Sequence, residues 1–229
     1  MKVKIERYLG FTKDCKFNRH DSWEHCYTAF GKKESQDLAL HLGFFLASWG
    51  MYRGSAGLLQ KSYKIHEGAI EIIKGYLYLR SEMIFADDWK KGVANLQEEL
   101  MKYYGSSNFW FPRIKKKSGI KIVEKDNKIK PTDTLISKII LGTLGCLPAY
   151  DGYFLAGIEK ENKNFKIRLG SDSLSQLSKI ISDKDFEIKE CKKIWEEYPT
   201  MKLLDMYYWQ VGFDLDEKNK IALDKWLEK

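Results

Sequence analysis

No C-x-x-C pair, HExxH helix, GxSxG elbow, GxGxxG turn or GxxxxGK[S/T] loop occurs in the chain. Zinc-ribbon, zincin, serine-hydrolase, dinucleotide and P-loop readings therefore have no local support. The cysteines Cys15, Cys26, Cys146 and Cys191 are scattered, the pattern of reduced thiols in an intracellular protein. The order Cys15, His20, His25, Cys26 is not a zinc spacing, and adjacent His25 and Cys26 point apart on regular backbone. No metal is expected there and no cofactor is indicated. Apolar runs are short: 42-LGFFLASWGMY-52 falls well below the roughly 18 residues that suggest a bilayer span. The N-terminal MKVKIERYLGFTKDC carries charges where a signal peptide needs an apolar run. No membrane partner and a cytoplasmic location are expected. Proline is scarce, at 4 residues, and glycine numbers 17, so helical patterns run with few interruptions.

Apolar residues are plentiful. Hydrophobic side chains make up 44% and aromatic ones 14% of 229 residues, enough to offset chain ordering in one large domain or two packed lobes. Seven Trp and thirteen Tyr exceed what a minimal core needs, and such amphipathic rings fill large cores or line grooves. The formal charge is +7, and it is concentrated: Arg113, Lys115, Lys116, Lys117, Lys121, Lys125, Lys128 and Lys130 stand against Glu124 and Asp126 alone.

Periodicity predicts an all-α, multi-helix protein. Leu38, Leu42, Phe45 and Trp49 form one helical stripe. Further helices are expected over 57–80, 90–104, 131–145, 148–158, 172–182, 186–198, 200–211 and 216–228. Residues 1–33 give weaker signals, with a short strand at VKI and a helix turn or packed loop at 23-WEHCYTAF-30. The segment 113–130 lacks helical period and reads as a basic loop or a short hairpin turning at Asp126-Asn127. The chain is expected to form a single domain, 1–229. Its alternative division is a lobe 1–112, a basic connector 113–130 and a lobe 131–229.

Two carboxylates occupy unusual surroundings. Asp151 lies in the apolar, glycine-rich 141-LGTLGCLPAYDGYFLAG-157, three residues after Pro148, where the first turn of a helix stabilises an anion. Asp205 falls on an otherwise apolar or aromatic helix face with Met201, Tyr208 and Gly212, so it must be paired, hydrogen-bonded, protonated or open to a cavity. The two are candidates for an acid/base pair, or for structural pairing with Arg53, Arg80 or Arg168. In 49-WGMYRGSAG-57, Arg53 can present its fork to an anion beside Trp49. Together with His66, Tyr150 and Trp209 these residues form the candidate small-ligand set. A second class of function rests on 108-NFWFPRIKKKSGIKIVEKDNKIK-130, where Phe109 and Trp110 precede Arg113, Lys115, Lys116, Lys117 and Lys121. Rings beside lysines suit DNA or RNA, by base stacking and phosphate neutralisation.

The stretch 142-GTLGCLPAYD-151 resembles, loosely, the glycine-rich junction and aspartate of helix–hairpin–helix DNA glycosylases, which are all-helical. It has G-x-x-G in place of the tight hairpin and too short a spacing to Asp151, so no family is assigned. The leading expectation is an intracellular helical protein with a nucleic-acid-binding surface. Its alternative is an enzyme or small-ligand binder with an interhelical pocket using Arg53, Asp151 and Asp205.

Overall fold

The computed structural model describes residues 1–13, 19–32, 37–53, 57–59, 61–80, 87–106, 111–117, 120–127 and 130–216. Among them are ten α-helices: α1 (Lys2–Lys13), α2 (Arg19–Gly31), α3 (Leu38–Ser48), α4 (Glu67–Lys74), α5 (Asp87–Tyr104), α6 (Asp133–Thr143), α7 (Gly152–Glu161), α8 (Ser171–Asp183), α9 (Asp185–Lys192) and α10 (Thr200–Leu215). The fold is all-α apart from one antiparallel ribbon of β1 (Phe111–Lys117) and β2 (Ile120–Asn127).

Helix α6 is the centre of the packing. Thr132 starts it, its hydroxyl accepting the Leu135 amide at 3.2 Å, and Pro131 ahead of the cap suits this entry. At the other end the Gly145 amide donates to Ile140 O at 3.0 Å. Gly145 has φ of 65°, a left-handed stop that glycine takes without a Cβ penalty. From Leu135 to Thr143 every residue is buried, because α2, α3 and α5 all pack on α6. Indole donors then fix its C-terminal end: Trp23 Nε1 donates to Leu141 O at 3.0 Å and Trp89 Nε1 to Cys146 O at 2.9 Å. Arg80 donates to Tyr27 O, near the end of α2, and to Thr143 O, at the end of α6. One guanidinium thus meets the partial negative charge of two helix C-termini.

Helix α10 is the second centre. It packs on α7, α1 and α9, and its contact with α7 is made through glycines. A Cβ added to Gly157 would overlap Tyr208 O and stand 2.8 Å from Gly212 N, and one on Gly212 would overlap Tyr153 O.

Several expectations are corrected. The VKI segment belongs to α1, where Ile5, Tyr8 and Leu9 are buried on one helical stripe. The expected helix over 57–80 is broken into a 3₁₀ turn (Tyr63–His66), α4, and a second 3₁₀ turn (Leu77–Arg80). Ser62 opens the first turn by accepting the Lys64 amide, and Gly75 ends α4. The reversal of the ribbon falls between Lys117 and Ile120, not at Asp126-Asn127, which lie within β2. Helix α7 begins at Gly152, later than expected, because Asp151 itself is the cap. Helix α9 ends at Lys192 rather than near 198. The helix expected over 216–228 lies outside the described residues from 217 onward.

Candidate functional site

A cavity of about 570 Å³ opens where α6, α7, α10 and the end of α3 meet. Its lining includes Trp49, Arg53, Thr134, Lys138, Asp151, Gly152, Tyr153, Trp209 and Asp216. Four candidate residues from three distant stretches of sequence, Trp49 and Arg53, Asp151, and Trp209, are therefore neighbours around one space. Three others are not: His66, Tyr150 and Asp205 do not line it.

Asp151 has two attachments. Its Oδ1 accepts the Phe154 amide at 3.1 Å, in the extended conformation of an N-cap. Its Oδ2 lies 3.6 Å from Lys138 Nζ. Lys138 is buried on α6 and also donates to Trp49 O at 3.2 Å. The expectation of Asp151 inside the first helical turn is thus refined to the residue just before it. The backbone beside it is open: a Cβ on Gly152 would meet nothing within 4 Å.

Asp205 sits behind this wall. It is 1% exposed and pairs at 3.0 Å with Lys202, which is fully buried. Its other oxygen accepts the Ala149 amide at 2.9 Å. Both candidate acids are therefore tied to the short segment that leads into α7. Asp205 grips Ala149 from the core, and Asp151 faces the cavity two residues later. They do not share the cavity, so the geometry of an acid/base pair is not formed. Neither acid has an arginine as its salt-bridge partner among the described residues; each pairs with a buried lysine. The Lys202 ammonium lies 5.4, 4.9 and 5.0 Å from the ring centroids of Tyr8, Trp23 and Trp49, close enough for cation–π attraction.

The aromatic walls are themselves packed. Trp209 stacks on Phe213 at 5.1 Å and meets Tyr8 and Tyr153 edge-on at 5.3 and 5.0 Å. Trp49 and Trp209 keep only 6% and 9% of their surface exposed. The Tyr153 hydroxyl donates to Asp216 Oδ2 at 3.4 Å. Arg53 differs from every other charged group here: it is exposed, and no hydrogen bond or ion pair to a described residue holds its guanidinium.

His66 is fully buried between hydroxyls, with Nε2 2.9 Å from Tyr52 and Nδ1 2.7 Å from Tyr104. Burial holds its pKa down to about 4. Tyr150 is a core ring whose hydroxyl is pushed up by burial. A second cavity, of about 430 Å³, is lined by Trp23, Glu24, Tyr27, Arg80 and Tyr198 among others. There the Tyr198 hydroxyl bridges Glu24 and His20. The His20 bond is the main reason that the Glu24 carboxyl is held down to about 2.

Of the basic set, Phe109 and Trp110 lie outside the described residues. The backbone register of the ribbon sets Arg113 opposite Glu124, Lys115 opposite Ile122, Lys116 opposite Lys121 and Lys117 opposite Ile120.

Lys138, Lys202, Thr134, Tyr153 and Asp216 were not singled out from sequence. A signal for the lysines was present: each is a lone cation in an otherwise apolar helical run, 135-LISKIIL-141 and 201-MKLLDMYYW-209, and Lys202 stands at i,i+3 from Asp205. Among the described residues no group of three metal-ligating side chains comes together, and no helix is long and apolar enough to cross a membrane. Comparison of the chain with protein-family models, with curated proteins and with solved structures finds no match to any of them.

Proposed function

We propose that the chain is a small-molecule-binding protein of the cytoplasm whose site is the cavity between α3, α6, α7 and α10. The observation that carries this reading is the Lys138–Asp151 pair, set 3.6 Å apart on the wall of a 570 Å³ space. Burying an ion pair costs desolvation that apolar packing would avoid, and a cavity with convergent polar groups is where ligands bind. The test is a fragment screen by ligand-observed NMR, repeated on Gly152→Trp. Gly152 lines the cavity and a Cβ there meets nothing within 4 Å, so the added ring is placed to occupy the space. Fragments that bind the native protein are expected to lose binding in this variant while circular dichroism stays unchanged. Binding that survives the ring, or no binding at all, would count against the site.

A second reading places nucleic acid on the ribbon. It is favoured by Arg113, Lys115, Lys116 and Lys117 in β1, with Lys121 facing Lys116 across the ladder. Two-stranded ribbons enter nucleic-acid grooves, and phosphate contacts make such binding strongly salt-dependent. Titration with short single- and double-stranded DNA and RNA at two salt concentrations tests it. Binding that ignores salt, or that is unchanged after Lys115, Lys116 and Lys117 are neutralised, would rule it out.

A further inference from the structure

We infer that the molecule bound in this cavity carries an acidic group, a carboxylate or a phosphate ester, and that Arg53 holds that group with its two-pronged guanidinium. The inference rests on the cavity being a ligand site and names the chemistry it selects. Two cations and two carboxylates line the space, Arg53 and Lys138 against Asp151 and Asp216, so a count of charges does not decide the sign of the ligand. Their engagement does. Asp151 is held by the Phe154 amide at 3.1 Å and faces Lys138 at 3.6 Å. Asp216 accepts the Tyr153 hydroxyl at 3.4 Å. Lys138 is committed to Asp151 and to Trp49 O. Arg53 alone brings a full charge to the cavity with no described group bound to it. Its planar fork matches the two oxygens of a carboxylate or phosphate.

The rest of the wall agrees with an acid held by charge. The two tryptophans offer little face to a stacking ligand, since Trp49 and Trp209 are more than nine-tenths covered. Gly152 leaves the backbone beside Asp151 open, giving the body of the ligand room past the acid-binding end.

The experiment compares matched probes on the full chain: benzoate, phenyl phosphate, neutral benzamide and cationic benzylamine, with dissociation constants from ligand-observed NMR. The two acids are expected to bind at least about tenfold more tightly than benzamide, because a hydrogen-bonded charge pair is worth a factor of ten or more. Arg53→Gln should remove that preference. Arg53→Lys, which keeps the charge and loses the fork, should keep only part of it. The order of benzoate and phenyl phosphate distinguishes the two acid chemistries. Arg53 is exposed and bonded to nothing described, so both variants are expected to fold, which circular dichroism checks. Benzamide or benzylamine binding as tightly as the acids, or acid binding unchanged in Arg53→Gln, overturns the inference while leaving the cavity a ligand site. Failure of every probe to bind the native protein overturns both.

Discussion

Replacing Asp205 with asparagine keeps the volume of the side chain and removes its charge. Because Asp205 lies behind the cavity and not in it, the expected result is a loss of stability rather than of chemistry. The amide oxygen can still accept the Ala149 N–H, so that 2.9 Å bond is largely kept. What changes is Lys202, which is left as a fully buried cation with no carboxylate. Breaking one side of a buried pair costs about 3–5 kcal/mol. The three rings near Lys202 offset part of this, at roughly 0.5–2 kcal/mol for a cation–π contact, which favours the lower end. For a domain of this size each kcal/mol moves the melting temperature by about 2–4 °C. A cost of about 3 kcal/mol therefore lowers Tm by roughly 6–12 °C. Thermal and urea unfolding at neutral pH, followed by far-ultraviolet circular dichroism, measure this directly. The double variant Lys202→Met with Asp205→Asn should recover much of the loss, since it removes the stranded charge. The reasoning fails if Asp205→Asn unfolds within about 1 kcal/mol of the native protein, the range of an ordinary substitution, or if the double variant is less stable than the single one.

Two further outcomes are expected. His66 titrates at about 4 in the fold against an ordinary value of 6.5, so the unfolded chain takes up the proton first. Stability should be unaffected above pH 6.5, fall as pH drops from there toward 4, and level off below. The total loss from this group is on the order of 3 kcal/mol, at about 1.4 kcal/mol per pH unit. Burial lowers His20 in the same direction, so the difference between native protein and His66→Gln across a urea series at several pH values isolates the His66 share; an identical slope in the two proteins would refute it. At the α7–α10 crossing, Gly157→Ala drives a methyl group into the backbone of Tyr208 and Gly212 and should cost about 3 kcal/mol, the upper end for overpacking. Gly152→Ala meets nothing within 4 Å and should unfold almost as the native chain does; equal denaturation midpoints for the two variants would contradict the close crossing.

The periodicity of Leu38, Leu42, Phe45 and Trp49, and the Thr-Asp start after Pro131, determined α3 and α6 from the sequence alone, because helical stripes and caps are local. Local signals also offered a basic loop or a hairpin near 113–130, without its turn, and marked Asp151 and Asp205 as acids in apolar surroundings. The break at Tyr63–His66 and the helical state of VKI depended on packing and on hydrogen bonds that override weak local preference. No pattern within the chain could pair Asp151 with Lys138, since 12 residues and the left-handed Gly145 lie between them. Nor could it show that Asp205 grips Ala149 from 56 residues away. The chemistry of each acid was legible as a demand for a partner, since a bare buried charge is too costly to keep. Which partner met that demand, and which acid faces open space, was decided only when α6, α7 and α10 packed together, because distance in the chain carries no information about distance across a core.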